Sequence, residues 1–151
     1  MMWPAPIRFR PARLRDLSAL RRLEQVCFDG DAWGILGLTF ELLHPAGVNV
    51  VAACGPRIVG AAFGEAHLFR RWATIASLAV HPDFRRNGLG TRLLESCEAL
   101  LKRPFLYLTV RTSNRAALNL YEKLGYVRAG VRRLYYAGGE DAIEMTKTRD
   151  H

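Results

Sequence analysis

The 151-residue chain reads as an α/β protein, a mixed sheet flanked by helices, on three observations. Residues 72–110 run strand, glycine-rich loop, helix, strand, a crossover that requires parallel strands and is almost always right-handed. Hairpin-like strand pairs flank it, one around Gly55-Pro56 and one around "AGGED". No linker, repeat or low-complexity segment breaks the order, so residues 1–151 are expected to form one domain.

The elements follow in order. "IRFRPAR" (Ile7 to Arg13) alternates at its start and predicts a short strand. "DLSALRRLEQVCF" sets Leu17, Leu20, Leu23 and Cys27 on one helical face, with Asp16 as N-cap. A second helix over about Ile35 to Leu43 stops before Pro45. "VNVVAAC" and "RIVGAAFGEA" form the first hairpin, and "WATIASLAV" is a strand ending at His81-Pro82. Leu89, Leu93, Cys97, Leu100 and Leu101 make the apolar face of a helix ending before Pro104. "FLYLTV" (Phe105 to Val110) is the next strand. A helix over about Asn114 to Leu124 follows, capped by Ser113 or Asn114 and closed by Gly125. The tail supplies two strands, "YVRAGVRRLYY" and "AIEMTKT".

Composition narrows the function classes. Half the chain is apolar and 24% is charged, which describes a globular protein. No apolar run approaches the roughly 20 residues that span a bilayer, so no membrane partner is expected. The start "MMWPAPIRFRP" has no apolar core of the secretory kind, which makes the cytoplasm the expected compartment. Cys27, Cys54 and Cys97 are scattered and outside any CxxC spacing. His44, His67, His81 and His151 show no metal-ligand spacing, so neither a disulfide framework nor a metal is expected. The net charge is +8, and 19 of the 22 bases are arginine. They are spread along the chain and mixed with acids, which disfavours nucleic acid; a polyanionic small ligand fits the same charge.

The loop "HPDFRRNGLGTRLLE" (residues 81–95) places a positively charged, glycine-containing turn at a helix N-terminus. Such a place gathers backbone N–H groups that no carbonyl satisfies and suits an anion. A dinucleotide fingerprint would need a third glycine where Leu93 stands, and a Walker loop would need GK[ST]; both are absent.

The remaining R-x-x-G-x-G string, Arg85 through Gly90, lies in "IASLAVHPDFRRNGLGTRLLE". That stretch resembles the acetyl-CoA motif of the GNAT N-acetyltransferases. "VRTSNRAALNLYEKLGYVRAGVRRLYYAGGEDAIEM" resembles its second half in the RimI-type N-terminal protein acetyltransferases, which acetylate ribosomal-protein alanine. The resemblance covers about residues 73 to 147 and implies the GNAT fold: a mixed, mostly antiparallel sheet with a central parallel crossover. It implies that Arg85, Arg86, Asn87, Gly88, Leu89 and Gly90 cradle the CoA pyrophosphate. Leu78, Ala79 and Val80 would pair with the pantetheine arm. By the same resemblance Asn114 holds the cofactor, Tyr121 is the general acid beside the leaving sulfur, and Tyr135 and Tyr136 line the acceptor groove. Read from the residues alone, Asn114 is equally a helix N-cap, Tyr121 a core aromatic, and the tyrosine pair ordinary strand aromatics.

One position departs from the pattern. RimI-type proteins carry a glutamate general base where this chain has Thr109, and Thr74 likewise offers only a hydroxyl. Glu65 and His67 are the nearest substitutes in the sequence. The resemblance implies an acetyl-CoA-dependent acetyltransferase acting on a primary amine, foremost a protein N-terminal α-amine. A small-molecule amine (polyamine, amino acid or aminoglycoside) is the alternative acceptor. The missing glutamate also keeps open a non-catalytic acyl-CoA sensor.

Overall fold

The computed structural model describes residues 5–28 and 34–149; His151 lies outside them. Among the described residues seven strands form one sheet: β1 (Ile7–Pro11), β2 (Gly47–Cys54), β3 (Arg57–Ala66), β4 (Trp72–Val80), β5 (Phe105–Arg111), β6 (Val127–Arg132) and β7 (Ala142–Thr148). Their order is β1-β2-β3-β4-β5-β7-β6, with β4 and β5 parallel and every other pair antiparallel. The expected mixed sheet with a central crossover is therefore present.

Two helices, α1 (Leu17–Phe28) and α2 (Ile35–Leu43), cover one face of β2 to β4. Leu20, Leu23 and Leu38 pack there with Val51, Ile58 and Phe63. On the other face, α3 (Leu89–Leu101) and α4 (Arg115–Lys123) bury Leu89, Leu93, Leu94, Leu118 and Tyr121 against strand residues from Val50 to Met145. α3 can lie close to the sheet because β3 presents glycines beneath it. A Cβ at Gly60 would come within 2.7 Å of Leu93 Cδ1, and one at Gly64 within 2.9 Å of Leu101 Cδ1. No helix among the described residues is long and apolar enough to cross a membrane.

Four expectations need correction. Asp16 does not cap α1. It ends a 3₁₀ turn (Leu14–Asp16), where its carboxylate accepts from the Arg13 N–H at 2.8 Å and receives the Arg10 guanidinium in a fork. Leu100 is exposed, and Leu94 takes the buried place on α3. β1 stops at Pro11, two residues before Arg13. β6 ends at Arg132, so Tyr135 and Tyr136 lie in the connection to β7. Leu134 there adopts a left-handed backbone (φ 53°), and its N–H is bound by the Asp141 carboxylate at 2.9 Å.

Candidate active site

The site begins as a failure of strand pairing. β4 and β5 are in register only over Trp72–Thr74 and Phe105–Tyr107. Two residues further on, β4 carries a bulge: Ser77 pairs with Phe63 and Ile75 with Gly64, leaving Ala76 as an extra residue. A bulge bends its strand and sharpens the local twist, and from here the two parallel strands diverge. The far half of β4 thus keeps one ladder, to β3, and no strand among the described residues pairs with its other edge.

Which backbone groups face the gap follows from the register. His81 N–H donates to Val59 O at 2.8 Å, so alternation directs residues 79 and 81 at β3 and residues 78 and 80 into the gap. Of the three residues expected to meet an extended amide chain, Leu78 and Val80 turn their backbone outward, while Ala79 uses its own within the sheet. Val80 O is already engaged by Arg85 Nε at 2.9 Å and Cys27 Sγ at 3.4 Å. That leaves the Leu78 peptide groups and Val80 N–H facing the gap.

The glycine loop closes the upper end. Arg86 (φ 66°) and Gly88 (φ 74°) both take left-handed conformations, which turns successive N–H groups to one side as in an anion-binding nest. No side chain caps the N-terminus of α3. A Cβ at Gly88 would meet nothing within 4 Å, so the space in front of the helix is open. Arg85 ties the loop to β4, Asn87 Nδ2 donates to Arg85 O at 2.8 Å, and the Leu89 side chain is buried in the core. Gly90 brings α3 within contact range of Leu120 Cδ2.

The cleft in the gap is lined by both diverging strands and by Glu24, Asn114, Tyr121 and Tyr136. Asn114 caps α4: its Oδ1 accepts from Ala117 N–H at 3.1 Å, which leaves its amide nitrogen for a ligand. The two readings of this residue are compatible. Tyr121 is 7% exposed, packs edge-on to Tyr126, and donates no hydrogen bond from its hydroxyl among the described residues. Burial, and then the neighbouring Tyr136, pushes its phenol well above the usual range, so it remains protonated. Tyr136 donates to Thr109 Oγ1 at 3.3 Å under the Arg111 guanidinium, whereas Tyr135 stands edge-on to Tyr136 outside the cleft lining.

The loop carrying these tyrosines is anchored by Glu140, which accepts from Arg111, Thr112 Oγ1 and the Ser113 N–H. Those donors, Ser113 and Arg111 foremost, lower its carboxyl to about 2.

Neither substitute base suggested by the sequence reaches the cleft lining. Glu65 pairs with Glu41 of α2, and His67 stacks on Trp72 while sharing a hydrogen bond with Thr74 Oγ1. The carboxylate that does reach it is Glu24. It projects from α1, is 2% exposed, and accepts from Ser77 Oγ at 3.4 Å. Desolvation raises its pKa to about 7, with the Ser77 hydrogen bond opposing. Its signal in the sequence was a charge on the apolar stripe, four residues after Leu20 and seven after Leu17. Glu24 comes from one face of the sheet and Tyr121 from the other. An unbroken ladder would wall them apart; the divergence of β4 and β5 lets both line one cleft.

The arrangement fits an acyl-CoA. An open strand edge matches an amide chain, an uncapped helix N-terminus matches a pyrophosphate, and a protonated phenol and a carboxylate of near-neutral pKa line one cleft. The comparisons with known proteins agree. The model of the acetyltransferase (GNAT) family matches residues 16–126. The [ribosomal protein bS18]-alanine N-acetyltransferase of Escherichia coli K12 is 47% identical over 91 residues, which cover 56% of this chain and 62% of that protein. The matched region thus spans less than two thirds of that relative's length. The N-alpha-acetyltransferase RimI of Mycobacterium tuberculosis is 35% identical over 137 residues, 87% of this chain and 86% of that one. The crystal structure of the Escherichia coli ribosomal-protein-S18-alanine N-acetyltransferase superposes with a TM-score of 0.86 at 31% identity, covering 97% of this chain and 96% of that one. Loop, split sheet and sequence agree: the chain belongs to the acetyltransferase (GNAT) family.

Proposed function

We propose that the chain transfers the acetyl group of acetyl-CoA to a protein N-terminal α-amine. One observation carries this reading: the cleft between β4 and β5 holds a carboxyl group with pKa about 7 and a buried, protonated phenol. N-acetyl transfer needs this pair, a base for the amine and an acid for the sulfur. In this reading the Leu78 peptide groups and Val80 N–H hold the pantetheine amides, the loop from Arg85 to Gly90 holds the pyrophosphate, and the Asn114 amide steadies the chain between them.

Glu24 takes a proton from the incoming ammonium, directly or through water. The neutral nitrogen attacks the thioester carbonyl, the C–N bond forms, and the C–S bond breaks as the tetrahedral intermediate collapses. The nitrogen loses its second proton to solvent as the sulfur leaves with the Tyr121 proton, and a solvent proton then restores Tyr121. An α-amine titrates near 7.7–8.0, close to the pKa of Glu24, whereas a lysine amine near 10.4 lies about 2.5 units above the α-amine. The same chemistry therefore favours N-termini over lysine side chains by up to a few hundred-fold. Tyr136, with Thr109, forms the floor on which the acceptor's first residue would lie.

The test is thiol release from acetyl-CoA with three acceptor sets: short peptides with free N-termini, the same peptides N-blocked with one internal lysine, and polyamines. Turnover confined to the first set is expected. Faster turnover of polyamines would overturn the acceptor, and no thiol release from any set would overturn the activity.

A further inference from the structure

The arginines that the sequence scatters are partly regathered by the fold, at the end of the sheet away from the cleft. Here β4 and β5 are still paired, and Trp72 and Phe105 stand side by side as register partners. Tyr107 lies edge-on to Trp72 at 6.2 Å, and His67 stacks against Trp72 at 3.9 Å. Trp72, Phe105 and Tyr107 line an open groove on the sheet together with Thr146 and Thr148.

Cations gather at the same end of the sheet. The Arg71 guanidinium lies 5.7 Å from the Phe105 ring. Arg103 Nε donates to Arg70 O at 3.1 Å, and Arg149 Nη2 donates to Arg103 O at 2.7 Å, so the bases are fastened to one another through main-chain carbonyls. Among the described residues no carboxylate forms an ion pair with Arg70, Arg71, Lys102, Arg103 or Arg149. The turn between β3 and β4 adds Phe69, which is fully exposed and holds a left-handed backbone (φ 61°). An aromatic ring in water on an unfavourable backbone gains nothing from the rest of the chain.

We propose that this end of the molecule binds single-stranded RNA. Guanidinium groups recognise phosphates, and exposed aromatic faces accept unstacked bases; the two interleaved make the platform that single strands use. The Thr146 and Thr148 hydroxyls offer partners to ribose 2′-hydroxyls. An acidic peptide would satisfy the arginines and leave the rings bare. A lipid surface could receive Leu68 and Phe69, yet Trp72 and Tyr107 line a groove on the sheet and cannot insert beside them. Phe105, Tyr107 and Thr109 alternate on one face of β5, so a strand held here lies next to the acceptor floor without entering the cleft.

Fluorescence anisotropy with a labelled 12-nucleotide single-stranded RNA of mixed sequence tests this at 50 mM salt. Four phosphate contacts predict a slope of about −3 for log affinity against log salt. Arg70→Glu with Arg71→Glu should weaken binding at least tenfold and flatten the slope. Arg8→Glu with Arg15→Glu, the same charge change elsewhere, should cost less than threefold. Phe69→Ala and Phe105→Ala should each cost roughly 5- to 160-fold, the usual loss of one stacked base. Acetyl transfer to a free peptide should be unchanged in these variants, and circular dichroism reports their folding. Equal losses in the two arginine pairs would reduce the effect to net charge and overturn the site. Undiminished binding to the matching DNA would overturn the ribose recognition. Binding to vesicles containing phosphatidylserine, without RNA binding, would assign the surface to lipid instead.

Discussion

Replacing Glu24 by glutamine separates its proton chemistry from its shape. The folded protein holds the Glu24 proton up to about pH 7, against an ordinary 4.5. A carboxyl raised in this way has its full stability below pH 4.5. That stability is lost as pH rises towards 7 and stays lost above, because the ionised group is then held out of water. At about 1.36 kcal/mol per pH unit the loss is about 3 kcal/mol. Glutamine fills the same volume and never ionises. Glu24→Gln should therefore melt like the wild type near pH 4.5 and be more stable at pH 8 by up to about 3 kcal/mol, or roughly 6–12 °C for a chain of this size. Activity should move the other way. kcat should fall roughly 10²- to 10⁴-fold and lose its limb near pH 7. The rise that remains should follow the acceptor's own α-amine and shift when a peptide of different α-amine pKa is used. Calorimetric melting from pH 4.5 to 8.5 and peptide-dependent pH profiles measure both. A surviving limb near pH 7 together with parallel melting profiles would refute the reasoning.

Tyr121→Phe removes one buried hydroxyl and should lower kcat roughly 10²-fold or more, with acetyl-CoA affinity by calorimetry nearly unchanged; equal losses in both would make it a positioning group. Gly88→Asp places a side chain and a negative charge in the open space before α3, at a backbone conformation that aspartate tolerates, so acetyl-CoA binding should collapse while circular dichroism stays native. Gly64→Ala drives a methyl to 2.9 Å from Leu101 Cδ1 and 3.2 Å from Thr74 O, and should cost about 1–3 kcal/mol in denaturant unfolding; a neutral result would mean that α3 is not held tightly on β3.

Local chemistry in the sequence carried the crossover, the glycine loop and the Asn114 cap, because each depends on residues within a turn or two of one another. Contacts made at longer range were not legible. Residues Tyr126 through Tyr136 read as one strand. That reading could not reveal that the Asp141 carboxylate, seven residues after Leu134, would bind that N–H and turn the chain. Helical periodicity placed Glu24 on the buried stripe of α1, yet a stripe does not say whether it abuts core or cleft. That distinction depends on the divergence of two strands some 50 and 80 residues away. The departure at Thr109 was visible, but the carboxylate that answers it comes from α1, far earlier in the chain. The arginines offered no run to notice; Arg70, Arg103 and Arg149 meet only because β4, β5 and β7 bring their ends together.

The short pairing of β4 with β5 has a consequence for how the molecule comes apart. Three register pairs join β1–β4 to β5–β7–β6, so the two groups of strands are held together mainly by the shared core beneath α3 and α4. Amide exchange should register this as two protection classes, with the β5–β7–β6 ribbon opening at a lower free energy than β1–β4. A ligand whose amides bond to the free edge of β4 and whose flank packs on β5 would act as the missing rung. Saturation with CoA should then merge the two classes into one cooperative unit, the bound molecule completing the mechanical continuity of the sheet.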